Sequence, residues 1–371
     1  MTTYKGGLED VVACSTAICA IDGDGGRLLY RGYPVDELVG HVAFEDVAHL
    51  LWTGEFPDAA AREALTAGLQ DAGALPRPVL ELLGVLPRTT SMCALRTAVS
   101  ALGAFDQDPD DTSPQANYRR AVRLTGQFPA IVAAWARVGS GQPALTPRPD
   151  LGHAANFLYM LSGRVPSALH TRIMDACLVL HADHELNAST FAARVTAATL
   201  ATMYAACTAA VGALAGPLHG GANTAVTHAV EEVGRPEAAA AWVRERLAAG
   251  ERIPGFGHRV YRTVDPRAVI LSRLARELGE AENDLRPYLV TVALEHAVRE
   301  EKGLYPNVDL YSGDVYRLLG IPVEMFTAVF AVSRVSGWTA HVLEQQEHNR
   351  LIRPRADYVG PAVRHLADTG A

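Results

Sequence analysis

From Val195 to Leu218 the chain carries no charged side chain, with Arg194 and His219 standing at the two ends of the run. A stretch of that length either crosses a bilayer as one helix or is buried inside a protein. Its composition favours the second course: it is mostly Ala, Thr and Gly with few large apolar residues, which suits close helix-on-helix packing. Within it Leu200, Met203, Tyr204, Cys207, Val211 and Leu214 recur at three- and four-residue spacing, and the spacing predicts a buried helix. Gly216 and Pro217 read as its stop. Asn223 followed by Val226, Val230 and Val233 predicts a capped restart that ends at Gly234. His219 therefore falls in a short loop, GPLHGGAN, that feeds a helix N-terminus. Gly220 and Gly221 leave backbone N–H groups near it open to a ligand, and the helix dipole favours a neutral imidazole. Such a ring is a hydrogen-bond donor, although a surface histidine at a kink fits the same letters.

The rest of the chain sets the class. Its 371 residues are 49% hydrophobic, long for one domain and comfortable for two. A formal charge of -8 excludes a general affinity for nucleic acid or acidic membranes, so any anion site must be local. Five cysteines with no CxxC pair fit reduced thiols in a cytoplasm. The opening MTTYKGGLEDVV lacks the basic and apolar regions of a signal peptide. Near the start, TAICAIDGDGGRLLYRGYPVDEL alternates apolar residues around a DGDGG turn, which predicts a small hairpin running into a helix. From Val35 onward helical periodicity broken by Gly and Pro dominates, so the protein is expected to be mainly α. DQDPDDTSPQ, residues 106 to 115, reads as a surface loop. After His219 the chain holds more charge and fewer Ala-rich runs. That shift predicts a smaller domain, residues 219–316, inserted between the two parts of a large helical domain, residues 1–218 and 317–371.

Four further stretches carry chemistry. LHADHELNAST puts His181 and His184 three apart around Asp183, with Glu185 following; on a helix the two imidazoles would share a face suited to a metal, and a structural histidine is the alternative. In GFGHRVYRTVDPR, a Gly-flanked His258 precedes Arg259, Arg262 and Arg267. Asp265-Pro266 makes an N-cap with Pro at the first helical position, which sets Arg267 on the first turn, where unpaired N–H groups and a guanidinium fork both favour a carboxylate or phosphate. A solvated basic face is the plainer reading of that cluster. In YPNVDLYSGDVY, Asp309 lies between Val308 and Leu310; a carboxylate in such company is a base of raised pKa or a helix cap. Phe326, Phe330, Arg334, Trp338 and Val342 follow at four-residue steps, so one guanidinium sits on an apolar stripe and needs an anion. Beyond these, RLIRPRADYVG adds Arg353 and Arg355 in a Pro-broken arm, most simply a solvated tail.

Taken in order, ADHELNAST, GPLHGGAN, GFGHRVYRTVDPR, NVDLYSG and SRVSGW resemble the citrate synthase family, and the likeness runs from GLEDVV near the N-terminus to RPRADYVG near the C-terminus. The resemblance implies a two-domain helical fold, a homodimer, and condensation of acetyl-CoA with oxaloacetate followed by thioester hydrolysis. It implies no metal and no permanently bound cofactor, the coenzyme A thioester being a co-substrate. Motif by motif, His219 is similar to the histidine that donates to the thioester carbonyl, Asp309 to the base that removes the methyl proton, and His258 to the histidine that polarises the ketone. His184, Arg267 and Arg334 match residues that hold the two carboxylates, together with His219 and His258. Arg353 resembles the arginine lent by the neighbouring subunit. Gly255, Phe256, Gly257 and Arg262 resemble the part that receives coenzyme A.

Two positions depart from the family's usual pattern. TTSMCALRT, residues 89 to 97, stands where an HPM-like sequence is common, so that histidine is absent. Leu310 occupies a place often taken by Phe, a change that enlarges an acyl pocket and keeps 2-methylcitrate synthesis from propionyl-CoA as the alternative. The extra N-terminal domain of longer, hexameric members has no counterpart in the sequence, which points to the simple dimer.

Overall fold

The computed structural model describes residues 6–8, 11–109 and 111–364. Residues 1–5, Glu9, Asp10, Asp110 of the polar loop and residues 365–371 of the C-terminal arm lie outside the described residues. Sixteen α-helices and one three-stranded antiparallel sheet make up the described regular structure, apart from short 3-10 turns. The hairpin forms where the DGDGG turn placed it: β1 (Cys19–Asp22) pairs with β2 (Arg27–Tyr30) in the register Cys19↔Tyr30 to Asp22↔Arg27. β3 (Tyr33–Pro34) then adds Tyr33 opposite Tyr30 and leads into the helix Val35–Leu38. Asp22 closes the turn by accepting Gly25 N–H at 2.8 Å and pairing with Arg27 at 2.7 Å.

Half of the α-helix starts are written in short polar side chains. Asp58, Thr90, Ser113, Ser167, Asn187, Thr202, Asp265 and Asn307 each accept a backbone N–H of the first turn they precede, a contact worth about 1 kcal/mol each. The core is built around two long helices, Pro114–Gly139 and Phe326–Glu347, which pack on one another. Met203–Leu214 packs on Ala188–Ala197 and on Ser91–Leu102. Further on, Pro266–Ala281 packs on Val308–Leu318, which also meets Ala222–Val233. No helix among the described residues is long and apolar enough to cross a membrane.

The uncharged run folds differently from its periodicity. It divides between the helices Ala188–Ala197 and Met203–Leu214, with Leu200 in the connecting turn at φ +64 and 70% exposed. Thr202 caps the second helix through Ala205 N–H, so a local polar cap overrides a stripe that Leu200 would have extended. The restart also comes two residues earlier than Asn223 suggested. Gly221 is the N-cap of Ala222–Val233, while Asn223 is buried inside the first turn and its Oδ1 accepts Thr224 N–H. Gly234 ends that helix in the left-handed region, as expected.

Candidate active site

Two strands of irregular chain run side by side and bring the GFGH loop against the segment that leads into Asp309. Gly257 N–H donates to Tyr305 O at 2.9 Å, Asn307 N–H donates to Gly255 O at 2.9 Å, and Asn307 Nδ2 donates to Gly257 O at 3.0 Å. Gly255 has φ +85, and a Cβ there would meet Val226 Cγ2 at 2.8 Å and Leu310 Cδ1 at 3.0 Å. Only glycine fits. Leu310, 1% exposed, thus seats the GFGH loop beside the carboxylate. Phe256 pairs with Pro306 as an isolated bridge.

The turn after His258 fixes its ring. Val260 N–H and Tyr261 N–H both donate to His258 Nδ1, at 3.0 and 3.1 Å, so the neutral imidazole carries its proton on Nε2. Burial, with help from Arg267, pulls this histidine down to about 4, and the ring is a neutral donor at physiological pH. The same turn is held from outside by the β1–β2 hairpin: Arg262 N–H donates to Gly23 O at 3.0 Å, and a Cβ on Gly23 would stand 2.3 Å from Val260 O. Arg262 itself is exposed and reaches Asp24 at 3.5 Å.

His219 is supported from other helices. Ser189 N–H donates to its Nε2 at 3.3 Å, which leaves the proton of the neutral ring on Nδ1. Ser189 Oγ stands 2.8 Å from that nitrogen and 2.7 Å from Asn187 Oδ1, with one proton to serve both, and it accepts Trp338 Nε1–H at 3.1 Å. Burial, then the Arg334 charge, holds His219 down to about 4.

Asp309 occupies the first turn of Val308–Leu318, whose cap is Asn307 and not Asp309: Asn307 Oδ1 accepts Asp309 N–H at 3.0 Å. No described side chain hydrogen-bonds the Asp309 carboxylate. Burial raises it to about 6 against the opposing pull of Arg267 and Arg334, with Asp265 adding to the rise.

The cationic side of the site is deeply buried. Arg334 is 1% exposed, lies 4.6 Å over the Phe330 ring, and donates Nε–H to His181 O at 2.7 Å, while its Nη2 has no partner among the described residues. His184 Nε2 is likewise buried without a partner, and burial with Arg267, His258 and Arg334 keeps that ring neutral. Its ring centroid lies 5.1 Å from that of His258. Arg267 sits on the first turn of Pro266–Ala281 as expected, but its fork is closed on the cap: Nε and Nη2 bond Asp265 Oδ1 and Oδ2 at 3.0 and 2.7 Å. Asp265 Oδ2 also accepts Val308 N–H at 3.2 Å, which ties this pair to the Asp309 turn.

The two arginines act electrostatically on His184 and Asp309 alike, Arg334 also on His219 and Arg267 on His258. Those four side chains therefore lie within electrostatic reach of one or both guanidiniums. Arg353 does not join them. It is exposed in the extended C-terminal arm, on the wall of an open groove formed with Leu8, Val11 and residues 13–17 near the N-terminus and the end of the Phe326–Glu347 helix. His181 and His184 do not share a helical face either: the helix Ala168–His181 ends at the first, whose Nδ1 bonds Cys177 O at 2.7 Å, and the second lies in the turn beyond it. The metal reading loses its geometric premise. Sequence pattern alone did not single out Ser189, Trp338 or Tyr261, and it read Asp265 only as a helix cap. Ser189 stood inside a quoted motif and Trp338 on a recognised stripe, and the polar handle of a stripe tryptophan is the signal that points to it.

The comparisons with known proteins extend over nearly the whole chain. The family model described as citrate synthase, C-terminal domain, matches residues 7–355. The chain is 46% identical to citrate synthase 2 of Bacillus subtilis over 97% of its own length and 96% of that protein. It is 42% identical to the citrate/2-methylcitrate synthase of the same organism, over 96% and 97%. Among solved structures, the ternary complex of citrate synthase from Thermoplasma acidophilum with carboxymethyl coenzyme A and oxaloacetate matches with a TM-score of 0.92 at 35% identity, the match covering 98% of both chains. With the fold, the order of its motifs and the convergence of its buried cations on one carboxylate all in accord, the chain belongs to the citrate synthase family.

Proposed function

We infer that the protein condenses acetyl-CoA with oxaloacetate and hydrolyses the resulting citryl-CoA to citrate and CoA. The observation that carries this reading is the pair of buried, unpartnered donors, Arg334 Nη2 and His184 Nε2, beside a carboxylate raised to about 6 and two neutral imidazoles. For His184 the unpartnered nitrogen supports a carboxylate when it carries the ring proton. Oxaloacetate is a dianion, which suits two buried guanidiniums in an acidic chain. Arg267 reaches it with the part of its fork that Asp265 leaves free.

Asp309 takes a proton from the methyl group of the thioester, and His219 Nδ1–H donates to the carbonyl oxygen as the enol or enolate forms. The enolic carbon then attacks the ketone carbon of oxaloacetate, whose oxygen gathers charge and receives the proton of His258 Nε2. Water cleaves the thioester and releases CoA as a thiol. A carboxylate is a weak base for a thioester methyl group, so Asp309 depends on the His219 donor.

The GFGH loop, with Gly255, Phe256 and Gly257, and the exposed Arg262 beyond it form the coenzyme A side of this reading. Residues 219–316 act as a small domain that closes against the large one, residues 1–218 and 317–371, and excludes water. Arg353 is lent across a homodimer interface. Its exposure on the arm, away from its own subunit's cations, supports that role; mixing Arg353→Ala with His258→Ala subunits restores part of the activity if the site is shared, and none if it is not.

The test is release of CoA thiol by the purified protein with oxaloacetate and either acetyl-CoA or propionyl-CoA. Acetyl-CoA is expected to lead in kcat/KM by about 10-fold or more, the scale of one methylene in a fitted pocket. A propionyl preference transfers the reading to 2-methylcitrate synthesis, which the relative with both activities in its name supports. No oxaloacetate-dependent thiol release overturns both.

A further inference from the structure

The geometry points to His341 as a positioning residue for oxaloacetate: clamped between Arg194 and Asp183, it fixes the His181–Glu185 turn that presents His184. This rests on the reading of His184 as an oxaloacetate ligand. The turn is strained, because Glu185 follows His184 at φ +51, in the left-handed region that a side chain disfavours. Glu185 N–H is held there by Asp183 Oδ2 at 3.1 Å and Cys19 Sγ at 3.3 Å. Asp183 is itself fully buried, and its Oδ2 meets His341 Nε2 at 3.3 Å.

The tautomer of His341 follows from its other neighbour. A guanidinium only donates, so Arg194 Nη1, at 3.0 Å from His341 Nδ1, leaves the ring proton on Nε2, facing Asp183. Arg194 is aimed in turn by Glu344 Oε2 at 2.6 Å and Gln345 Oε1 at 3.2 Å, and Glu344 Oε1 accepts Ala17 N–H at 2.8 Å. The relay thus runs from the N-terminal segment to the two residues that flank His184.

One face of the Phe326–Glu347 helix grips the turn residue by residue. Arg334 Nε–H holds His181 O, Gly337 N–H holds Ala182 O at 3.1 Å, and His341 holds Asp183. Their spacing of three and four puts all three on one side of the helix. At Gly337 a Cβ would stand 2.4 Å from both Ala182 O and Asp183 Oδ1, so the approach is close enough for small displacements of the helix to reach His184. A residue that merely filled this space would need volume alone. His341 instead makes two directional bonds to charged groups, which fix one geometry in a way apolar packing does not.

The experiment compares His341→Leu, His341→Gln and His184→Ala, reading oxaloacetate affinity by calorimetry, kcat and KM for each substrate, and Tm. His341→Leu is expected to weaken oxaloacetate binding about 10- to 100-fold, the scale of a ligand group misplaced by about 1 Å, while kcat at saturation changes far less. Gln, whose amide accepts from Arg194 and donates to Asp183, recovers most of that loss. A lower Tm with unchanged oxaloacetate affinity makes His341 a core filler and overturns the proposal. Should His341→Leu fail to fold, Glu344→Gln at the outer end of the relay gives the same reading on a smaller scale: a few-fold weakening supports the proposal and an unchanged affinity overturns it. If His184→Ala keeps full oxaloacetate affinity, the ligand reading of the turn falls and takes the proposal with it. Loss in His184→Ala without loss in His341→Leu overturns the proposal alone.

Discussion

His258 and His219 are both neutral imidazoles, yet the protein fixes their tautomers by opposite means. His258 accepts two backbone N–H groups from its own turn, Val260 and Tyr261. His219 depends on Ser189, which belongs to another helix and divides one hydroxyl proton between His219 and Asn187. A support made of backbone is indifferent to the side chains that carry it. One made of side chains must be assembled by the fold, and it fails one residue at a time.

The largest effect should come from removing either ring. His219→Ala and His258→Ala are each expected to lower kcat by about 100- to 1,000-fold, the cost of losing one donor to a developing oxyanion. Equal, small losses in both would remove the donors from the chemistry. The asymmetry between the supports comes next. Ser189→Ala should lower kcat about 10-fold, the scale of losing a partner that orients a histidine, whereas Val260→Ala leaves the donating N–H in place and should stay within about 2-fold. Comparable losses in the two variants would break the distinction between backbone and side-chain support.

Acid acts on a third group. Between pH 8 and pH 5 activity should fall by about 10-fold because Asp309, at about 6, takes up a proton and ceases to be a base. Both imidazoles, at about 4, remain neutral over that range. Their contribution to folding runs the other way from that of Asp309. The depressed histidines lose stability as pH falls from about 6.5 towards about 4, and the raised carboxyl gains it as pH falls through about 6. Ser189→Ala should therefore leave the acid limb of the rate profile where it is. The smallest effect belongs to Trp338→Phe, which takes one donor from Ser189 Oγ; about 1 kcal/mol of stability is expected to go with that hydrogen bond, read as a drop in Tm.

The same contrast between local and assembled features explains what the sequence disclosed. Caps, glycines and the DGDGG hairpin are local, so the mainly α class, the small sheet, the Asp265 cap and the first-turn place of Arg267 were all legible. The GFGH and NVD stretches were legible as chemistry, but their pairing through Gly255, Gly257 and Asn307 is a contact between distant segments. Leu200 was misread because a three-and-four spacing carries across a turn when Thr202 starts a new helix beyond it. Asn223 has the residue type of a cap, although Gly221 holds that position. Ser189, Trp338, His341 and Arg194 act through partners far along the chain, and no spacing rule exposes such relations. Arg334 lies between the two cases: the apolar stripe announced a buried cation in need of an anion, and the fold leaves Nη2 with no partner among the described residues.

Asp309→Asn, with oxaloacetate binding and overall condensation measured on one folded preparation, tests most directly whether a buried carboxylate served by two neutral donors performs the proton abstraction. The substitution keeps the shape and removes the base. Oxaloacetate affinity, carried by His184, Arg267 and Arg334, should stay within about 3-fold while condensation falls by about 100- to 10,000-fold, the contribution of a general base. Near-normal condensation would contradict the role of Asp309, and an equal loss of oxaloacetate binding would make it a structural aspartate.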